Sequence, residues 1–281
     1  MIKYIKDIDE VLKFACELSK CDSTASYPRM TSVNQIKEEL LKAIQDDKYH
    51  IMAYYSENEI KGLCAYFCID DEKYSQTTIF LIKDNYDSIA DKMISEIKSK
   101  LHDFKLLVGV PTSNTTAINY FEKRNIKCIE SSVVTHICKL KPSYAKQDDH
   151  IMTINKKNFC LYSAFHDKYA IPYDIYYTSK NVCNSINDFI ILAYVKKDIV
   201  ASIFAKIGDE IADIFGLFID EKFKYNGIEQ ILINHLLSQL YLKHQSIKEI
   251  LFFIDDIDHQ ELRIVLETGF KVKERYKCYK L

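Results

Sequence analysis

The same order of predicted helices and strands occurs twice along this chain of 281 residues. In each half a short strand and two helices precede three strands, and a long helix, a strand, a short helix and a terminal strand region come after them. A repeat distance of about half the chain indicates a duplicated domain, because solenoid repeats have periods of about 20–50 residues. We therefore predict two tandem α+β (mixed α/β) domains, 1–143 and 144–281, divided in the polar stretch around residues 141–149.

Individual elements follow from the spacing of apolar residues. Apolar patterns predict the strands Ile199–Ile207 and Ile211–Ile219, joined by a tight turn that contains a glycine. In the first half, the pattern predicts a helix over Thr115–Lys123 and then two separate strands, near Cys128–Ser131 and Val133–Leu140. Each half therefore has enough strands for a sheet and enough helices to cover it.

Composition excludes two classes of partner. The chain has 38 Lys and Arg against 40 Asp and Glu, a formal net charge of -2, so it lacks the basic excess of a general nucleic-acid binder. No apolar run approaches the roughly 20 residues that span a bilayer, and the first residues lack the apolar core of a signal peptide. We predict no nucleic-acid partner, no membrane partner and a cytoplasmic location.

The nine cysteines are odd in number and are scattered through apolar segments. Cys64 and Cys68 share one face of a predicted strand, but no second Cys or His pair lies near them in sequence. Free thiols packed as small hydrophobic residues are the common case, and an odd count fits a reducing compartment. The eight histidines form no pair with metal-ligand spacing. We therefore predict no metal site.

A polar segment links the strand that ends at Ile219 to a helix that starts at Gly227. Unpaired N–H groups at a helix N-terminus attract phosphates, and glycine lets the backbone approach them closely. The segment resembles the acyl-CoA loop of the GNAT acetyltransferases, in which R/Q-x-x-G-x-G/A opens a helix. Lys224 stands where that family often has Arg or Gln, and Gly227 matches the first glycine. Glu229 stands where a second small residue is expected.

The resemblance implies the acyl-CoA N-acyltransferase fold in both domains, each with a mixed, mostly antiparallel sheet flanked by helices. It also implies an acetyl-CoA site in the second domain, without a metal. The residues that it implies for cofactor binding are Phe218, Ile219, Lys224, Tyr225, Asn226, Gly227, Ile228, Glu229 and Gln230.

A second motif of the family, N-x-x-A-x-x-Φ-Y-E-K-x-G-F, is similar to residues 114–126 of the first domain. In the second domain the corresponding residues 258–270 keep its final Gly-Phe. The first domain has no glycine in Lys83–Ser88, where a phosphate loop is expected, and two acids lie there instead. The resemblance therefore implies a structural or acceptor-shaping role for the first domain, and cofactor binding for the second.

Direct acetyl transfer from a thioester to an amine needs a base, a donor to the carbonyl oxygen and a proton for the departing thiolate. In the GNAT family the base is often a carboxylate on the fourth strand, and Asp213 occupies that position. The alternative is a solvated carboxylate near the start of a strand, and Glu210 beside the turn is a second candidate. Val265 and Phe121 stand where the family has the tyrosine that protonates the thiolate.

Tyrosines are abundant, at 20 residues, and three of them, Tyr173, Tyr176 and Tyr177, follow Pro172 in a predicted loop. In the GNAT family the corresponding region covers the acceptor side of the cleft. An aromatic acceptor pocket is one interpretation, and ordinary packing of amphipathic rings is the other.

We predict an acyl-CoA-dependent N-acyltransferase that transfers acetyl from acetyl-CoA to an amine of a small molecule or peptide by direct attack. Its partners would be acetyl-CoA and the amine acceptor, and it would be a monomer or homodimer. Two alternatives stay open. One is a catalytically inactive acyl-CoA-binding or regulatory protein of the same fold, and the other is an interaction module that binds no nucleotide.

Overall fold

The computed structural model describes residues 1–140, 148–172 and 175–281. They divide into two compact units, Met1–Ser131 with Arg275–Leu281, and Ser132–Glu274. The predicted boundary after residue 143 lies outside the described residues. Each unit is a mixed sheet covered by helices, as the order of elements predicts.

The first unit is built around a sheet whose strand order is β1-β2-β3-β4-β5-β12, so the end of the chain supplies its last strand. Its elements in chain order are β1 (Ile2–Tyr4), α1 (Leu12–Ser19), α2 (Val33–Gln45), β2 (Tyr49–Ser56), β3 (Glu59–Ile69), β4 (Tyr74–Ile82), α3 (Tyr86–Lys100), β5 (Lys105–Pro111), α4 (Thr115–Lys123), the first part of β6 (Lys127–Ile137) and the end of β12 (Lys271–Lys280).

Alternation along β4 gives the first unit a core on each face of its sheet. Ile79 and Leu81 pack with α1 and α2, whereas Phe80 and Ile82 pack with α3 and α4. Successive side chains of a strand point to opposite faces, so one strand serves both layers.

The second unit has the strand order β6-β11-β10-β9-β8-β7, in which β6 contributes its residues from Ser132 on. Its further elements are β7 (Ile151–Ile154), α5 (Phe159–Ala170), α6 (Ser179–Asn184), β8 (Phe189–Val195), β9 (Ile199–Ile207), β10 (Ile211–Ile219), α7 (Ile228–Lys243), β11 (Glu249–Asp255) and α8 (His259–Glu267). Among the residues of both units that the structure describes, no helix is long and apolar enough to cross a membrane.

The second unit also has two cores. Ala212 and Ile214 of β10 pack with α7 and α8, while Phe218 packs with α5 on the opposite face. The predicted strands Ile199–Ile207 and Ile211–Ile219 are confirmed as β9 and β10.

One prediction about the strands is wrong. The two strands expected near Cys128–Ser131 and Val133–Leu140 are a single strand, β6. The predicted gap between them falls at Ser132, but Ser132 pairs with Asp255 of β11 and the ladder continues to Ile137. Ladder hydrogen bonds from a distant strand therefore override the local turn preference of serine.

A buried polar network fixes α5 on the sheet of the second unit. The His166 ring donates through Nε2 to the Tyr177 carbonyl at 2.6 Å, so its Nδ1 accepts from the Tyr162 hydroxyl at 2.8 Å. The Tyr162 hydroxyl also lies 3.3 Å from Ser202 Oγ. Burial lowers the pKa of His166, although the Tyr177 carbonyl and the Asp167 charge act in the opposite direction.

We expect His166→Ala to lower the free energy of unfolding by about 2–4 kcal/mol, because it removes the partner of the Tyr177 carbonyl and one of the two partners of the Tyr162 hydroxyl, and opens a cavity. The lowered pKa adds a pH dependence to the wild type. Below the unfolded-state value of about 6.5, the unfolded chain binds a proton that the buried ring does not, so stability falls as pH drops.

Urea unfolding at pH 7.5 and pH 5.5 measures both effects. The exposed His102 is the matched control, and His102→Ala should stay within about 0.5 kcal/mol of wild type. Equal losses in the two variants would contradict the structural role of the network.

Candidate active site

The parallel strands β10 and β11 part in the middle of the second unit's sheet. They pair only from Ile211 with Glu249 to Ile214 with Phe252, and β10 then continues to Ile219 with β9 as its partner. The pairing with β9 shifts by one residue between Ile214 and Gly216, which is a β-bulge. One edge of β10 beyond the bulge is therefore left without a pairing from β11.

The bulge requires a glycine. A Cβ at Gly216 would lie 2.5 Å from a ring carbon of Phe204 and 2.7 Å from the ring of Phe218. Real Cβ atoms do not approach this closely, so only glycine fits between the two rings.

A short connection leads from β10 to the N-terminus of α7. A 3₁₀ turn over Glu221–Phe223 is followed by Tyr225 and Gly227, both in the left-handed region with φ of 60° and 85°. Gly227 is the N-cap of α7 and makes no side-chain cap, so it blocks none of the first N–H groups of the helix.

The nine residues predicted to hold the cofactor lie together around this connection, but few of their side chains face outwards. Phe218, Ile219 and Ile228 are buried in the cores, and Lys224 forms an ion pair with Glu221 at 2.7 Å. Tyr225 and Asn226 are exposed, while Gly227 and Gln230 are half-buried. Most contacts with a ligand would therefore be made by the backbone.

The side chain of Glu229 points towards the connection between β10 and α7. Its side chain is 2% exposed, its Oε1 accepts a hydrogen bond from the backbone N–H of Tyr225, and its Oε2 is buried without a partner. The carboxylate thus occupies one backbone N–H group of the predicted phosphate loop.

A shallow pocket lies between this connection and the start of α8. Burial raises the pKa of Glu261 in the first turn of α8 to about 8, with Asp258, Glu229 and Asp255 contributing and Lys224 opposing. Glu261 is therefore mostly neutral at pH 7, which limits the negative charge beside the pocket. The residues that line the pocket are Tyr225, Ile257, Asp258, His259, Gln260 and Arg263.

Asp213 lies on β10 two residues before the bulge and is half-buried. It is paired with Lys206 of β9 and Leu251 of β11, and no hydrogen bond joins its carboxylate to another residue of the described ranges. Burial raises the pKa of Asp213 to about 6; Glu249 adds to the effect, while Lys206 and Lys273 oppose it. A half-buried carboxyl with this pKa can accept a proton near neutral pH.

Aromatic rings lie beside Asp213 on the same sheet face. Phe215 stacks on Phe253 at a centroid distance of 5.4 Å, and Tyr177 contacts Phe215 at 4.9 Å. Lys206 Nζ donates to the Tyr177 hydroxyl at 3.2 Å. Of the three tyrosines considered for an acceptor pocket, Tyr177 is therefore next to the site, while Tyr173 lies outside the described residues.

Neither a protein-family model nor a curated protein matches this chain. Solved structures do match it along its whole length. A GCN5-related N-acetyltransferase from Sphaerobacter thermophilus has a TM-score of 0.70 at 11% identity, covering 100% of this chain and 95% of that one. A tandem GNAT protein from the clavulanic acid biosynthesis pathway has a TM-score of 0.62 at 8% identity, with 100% and 98% covered. The fold is that of a tandem GNAT protein.

A GNAT-family acetyltransferase from Colwellia psychrerythraea also matches, with a TM-score of 0.52 at 12% identity over 100% of this chain and 99% of that one. The predicted fold is thereby confirmed for both halves of the chain. Because the identities are so low, the likeness extends to the fold, and the chemistry has to be argued from this chain's own side chains.

The GNAT tyrosine that protonates the thiolate has no counterpart at its expected positions. Val265 and Phe121 are both completely buried, in the cores of their units. Any proton for a departing thiolate would have to come from another group or from water.

In the first unit of this GNAT fold, aromatic rings fill the region that corresponds to the candidate site. β4 and β5 also pair over three residues only and then part. Asn85, with φ of 48°, precedes α3 as Gly227 precedes α7. The next residue, Tyr86, is buried, and its ring contacts Phe80 at 6.4 Å and Tyr120 at 5.5 Å. The corresponding first residue of α7 is the smaller Ile228.

A polar group near Asp213 was not predicted from the sequence. His136, Cys138 and Glu249 place one nitrogen, one sulfur and one oxygen within 4.8 Å of one another. Burial would raise the pKa of Glu249, but hydrogen bonds from Lys273 and His136 outweigh it and hold the pKa below its ordinary value. The signal in the sequence was His-x-Cys on a strand, since residues two apart share a face.

Proposed function

We propose that the protein is an acyl-CoA-dependent N-acyltransferase that transfers acetyl from acetyl-CoA to an amine of a small molecule or peptide. The observation that carries the proposal is the position of Asp213. This carboxyl with a raised pKa lies two residues before the bulge at which β10 leaves β11. A base at the opening of a strand-lined cleft is the arrangement that direct transfer to an amine needs.

Acetyl-CoA would bind between the parted strands, with its pyrophosphate at the N-terminus of α7. The free edge of β10 offers backbone groups to the amide-containing arm of the cofactor. The αL cap at Gly227 leaves the first N–H groups of α7 available to a phosphate. The nine residues named above would form the cofactor site, and they would contact acetyl-CoA chiefly through their backbone groups.

Asp213 would take the proton of the attacking amine, directly or through a water molecule. The amine nitrogen forms a bond to the thioester carbonyl carbon, the carbon–sulfur bond then breaks, and the thiolate takes a proton from water. Because the pKa of Asp213 is about 6, the carboxylate is mostly ionised at pH 7 and above. Tyr177 and Phe215 would border the acceptor.

A non-catalytic acyl-CoA-binding protein is the second candidate. The absence of a hydroxyl at Val265 favours it, since the leaving thiolate lacks the acid that the GNAT family often provides. Both candidates predict acetyl-CoA binding, and only the first predicts turnover.

Release of free coenzyme A from acetyl-CoA, measured over a panel of small amines and peptides, tests the proposal. We expect release that depends on the amine, together with an acetylated product of matching mass. Bound acetyl-CoA without turnover on any amine would favour the non-catalytic candidate.

As part of the same proposal, the enzyme is cytoplasmic and a monomer or homodimer, and the nine free cysteines support a reducing compartment.

We expect Glu229→Gln to raise the affinity for acetyl-CoA by about 3–10-fold. The amide oxygen can still accept from the Tyr225 N–H, while one negative charge beside the phosphate position is removed. Calorimetric titration measures the change. Glu210→Gln is the control, because this exposed side chain precedes β10 and pairs with Lys248, outside the connection. Equal effects of both changes would contradict the special position of Glu229.

A further inference from the structure

Three potential metal ligands meet on one face of the second unit's sheet. His136 Nδ1 lies 2.7 Å from Glu249 Oε1 and 3.4 Å from Cys138 Sγ, and Cys138 Sγ lies 4.0 Å from Glu249 Oε1. We call these three residues the His136 cluster. Cys138 is exposed and the other two are half-buried, so solvent ions can reach it.

The sheet itself brings the cluster together. His136 of β6 pairs with Leu251 of β11, and extending this antiparallel register by one pair places Glu249 opposite Cys138. Directly opposed residues of an antiparallel pair have neighbouring side chains on the same face. Two paired strands thus hold His136 and Glu249, and Cys138 follows directly after the last residue of β6.

The geometry excludes a nucleophilic triad. In a Cys-His-carboxylate triad the thiol and the carboxylate contact different ring nitrogens, so that the imidazole can orient and transfer a proton. Here Cys138 and Glu249 both contact Nδ1 of His136. The shared nitrogen indicates instead that all three atoms converge on one point.

We propose that the His136 cluster binds one zinc ion. The separations of 2.7, 3.4 and 4.0 Å allow one ion to lie about 2.0 Å from the nitrogen and the oxygen and about 2.3 Å from the sulfur, which are the lengths of zinc bonds to these atoms. At these lengths the ion lies out of the plane of the three donor atoms. A thiolate with an imidazole and a carboxylate suits zinc, whereas magnesium and calcium prefer oxygen ligands alone. Three protein ligands leave a fourth, solvent-facing position for water or a ligand.

Lys273 supports the carboxylate of the cluster. Its Nζ donates to both oxygens of Glu249, at 2.8 and 2.9 Å. With zinc on Oε1, Lys273 keeps Oε2, and such an outer partner orients a ligating carboxylate.

Zinc binding changes the protonation of Cys138 and of His136. Cys138 loses its thiol proton to the solvent as the sulfur–zinc bond forms. Nδ1 of His136, which donates to Glu249 in the metal-free protein, also gives up its proton, and the neutral ring that coordinates zinc keeps one proton on Nε2. The affinity of the His136 cluster for zinc should therefore rise with pH.

Titration of metal-free protein with Co²⁺ tests the site without acetyl-CoA, so its outcome is independent of the proposed function. We expect one ion per chain, thiolate-to-cobalt charge-transfer absorption, and displacement of the ion by Zn²⁺. Cys138→Ser should abolish that absorption, and both Cys138→Ser and His136→Ala should weaken zinc binding by about 100-fold.

Matched controls are available in the same unit. Cys160 and His150 are both exposed and lie outside the cluster. Cys160→Ser and His150→Ala should leave the cobalt spectrum and zinc affinity unchanged, with circular dichroism confirming that every variant is folded. Zinc affinity unaffected by Cys138→Ser, or lost equally in Cys160→Ser, would overturn the proposal.

Discussion

Asp213→Asn is expected to lower kcat/KM for acetyl transfer by about 10²–10⁴-fold while leaving the affinity for acetyl-CoA within twofold of wild type. The amide has nearly the shape of the carboxyl but cannot accept the proton of the amine. The side chain is half-buried and makes no hydrogen bond to the described residues, so the substitution leaves no protein partner unpaired.

The pH profile separates this role from a structural one. In the wild type the base works only when ionised, so kcat/KM should rise with pH through about 6 and then level off. Asp213→Asn should lack this acidic limb. Glu210→Gln is the control, because Glu210 is exposed directly before the same strand and forms an ion pair with Lys248. An unchanged pH profile in Asp213→Asn would exclude Asp213 as the base.

Gly227→Asp is expected to weaken acetyl-CoA binding by about 100-fold or more. Gly227 has φ of 85°, a conformation that costs side chains other than glycine about 1–2 kcal/mol. The new carboxylate would also stand at the helix N-terminus, where the pyrophosphate needs unoccupied N–H groups. Competition against a fluorescent acyl-CoA analogue measures the loss.

The control for backbone strain is Gly269→Asp. Gly269 has φ of 102° after α8, and a Cβ there meets no atom within 4 Å. This variant carries a comparable backbone cost and the same new charge, but outside the loop, so its affinity should stay within twofold of wild type. Comparable losses in both variants would mean that Gly227 acts through stability alone.

The sequence was sufficient to predict elements that depend on local periodicity. β9, β10 and α4 have the predicted limits because each combines an apolar pattern with turn or capping residues at its ends. Partners of distant strands could not be predicted in the same way. The break expected between Ser131 and Val133 is absent, and Ser132 pairs there with Asp255 of β11, more than a hundred residues later.

The candidate site was predicted in part. The position of Asp213 follows from its place on a strand, and its raised pKa depends on burial and on charges from neighbouring strands. The inward turn of Glu229 depends on the left-handed backbone at Tyr225, which a sequence pattern does not specify. The His136 cluster was missed because Glu249 lies 111 residues after Cys138 and only the sheet brings them together.

The first unit illustrates why the absence of a glycine is weak evidence against a phosphate loop. Asn85 adopts the left-handed conformation that Gly227 adopts in the second unit, since asparagine tolerates it better than most residues. The two units differ instead at the first residue of the long helix. Tyr86 fills the first turn of α3 with a buried ring that packs on Phe80 and Tyr120.

Calorimetric titration of the full-length chain with acetyl-CoA tests the central claim most directly. We predict one binding site per chain, lost in Gly227→Asp and retained in Asp213→Asn, because only the second unit keeps an open loop before its long helix. No binding to the wild-type chain, or two sites per chain that survive Gly227→Asp, would contradict the assignment of a single acyl-CoA site to the second unit.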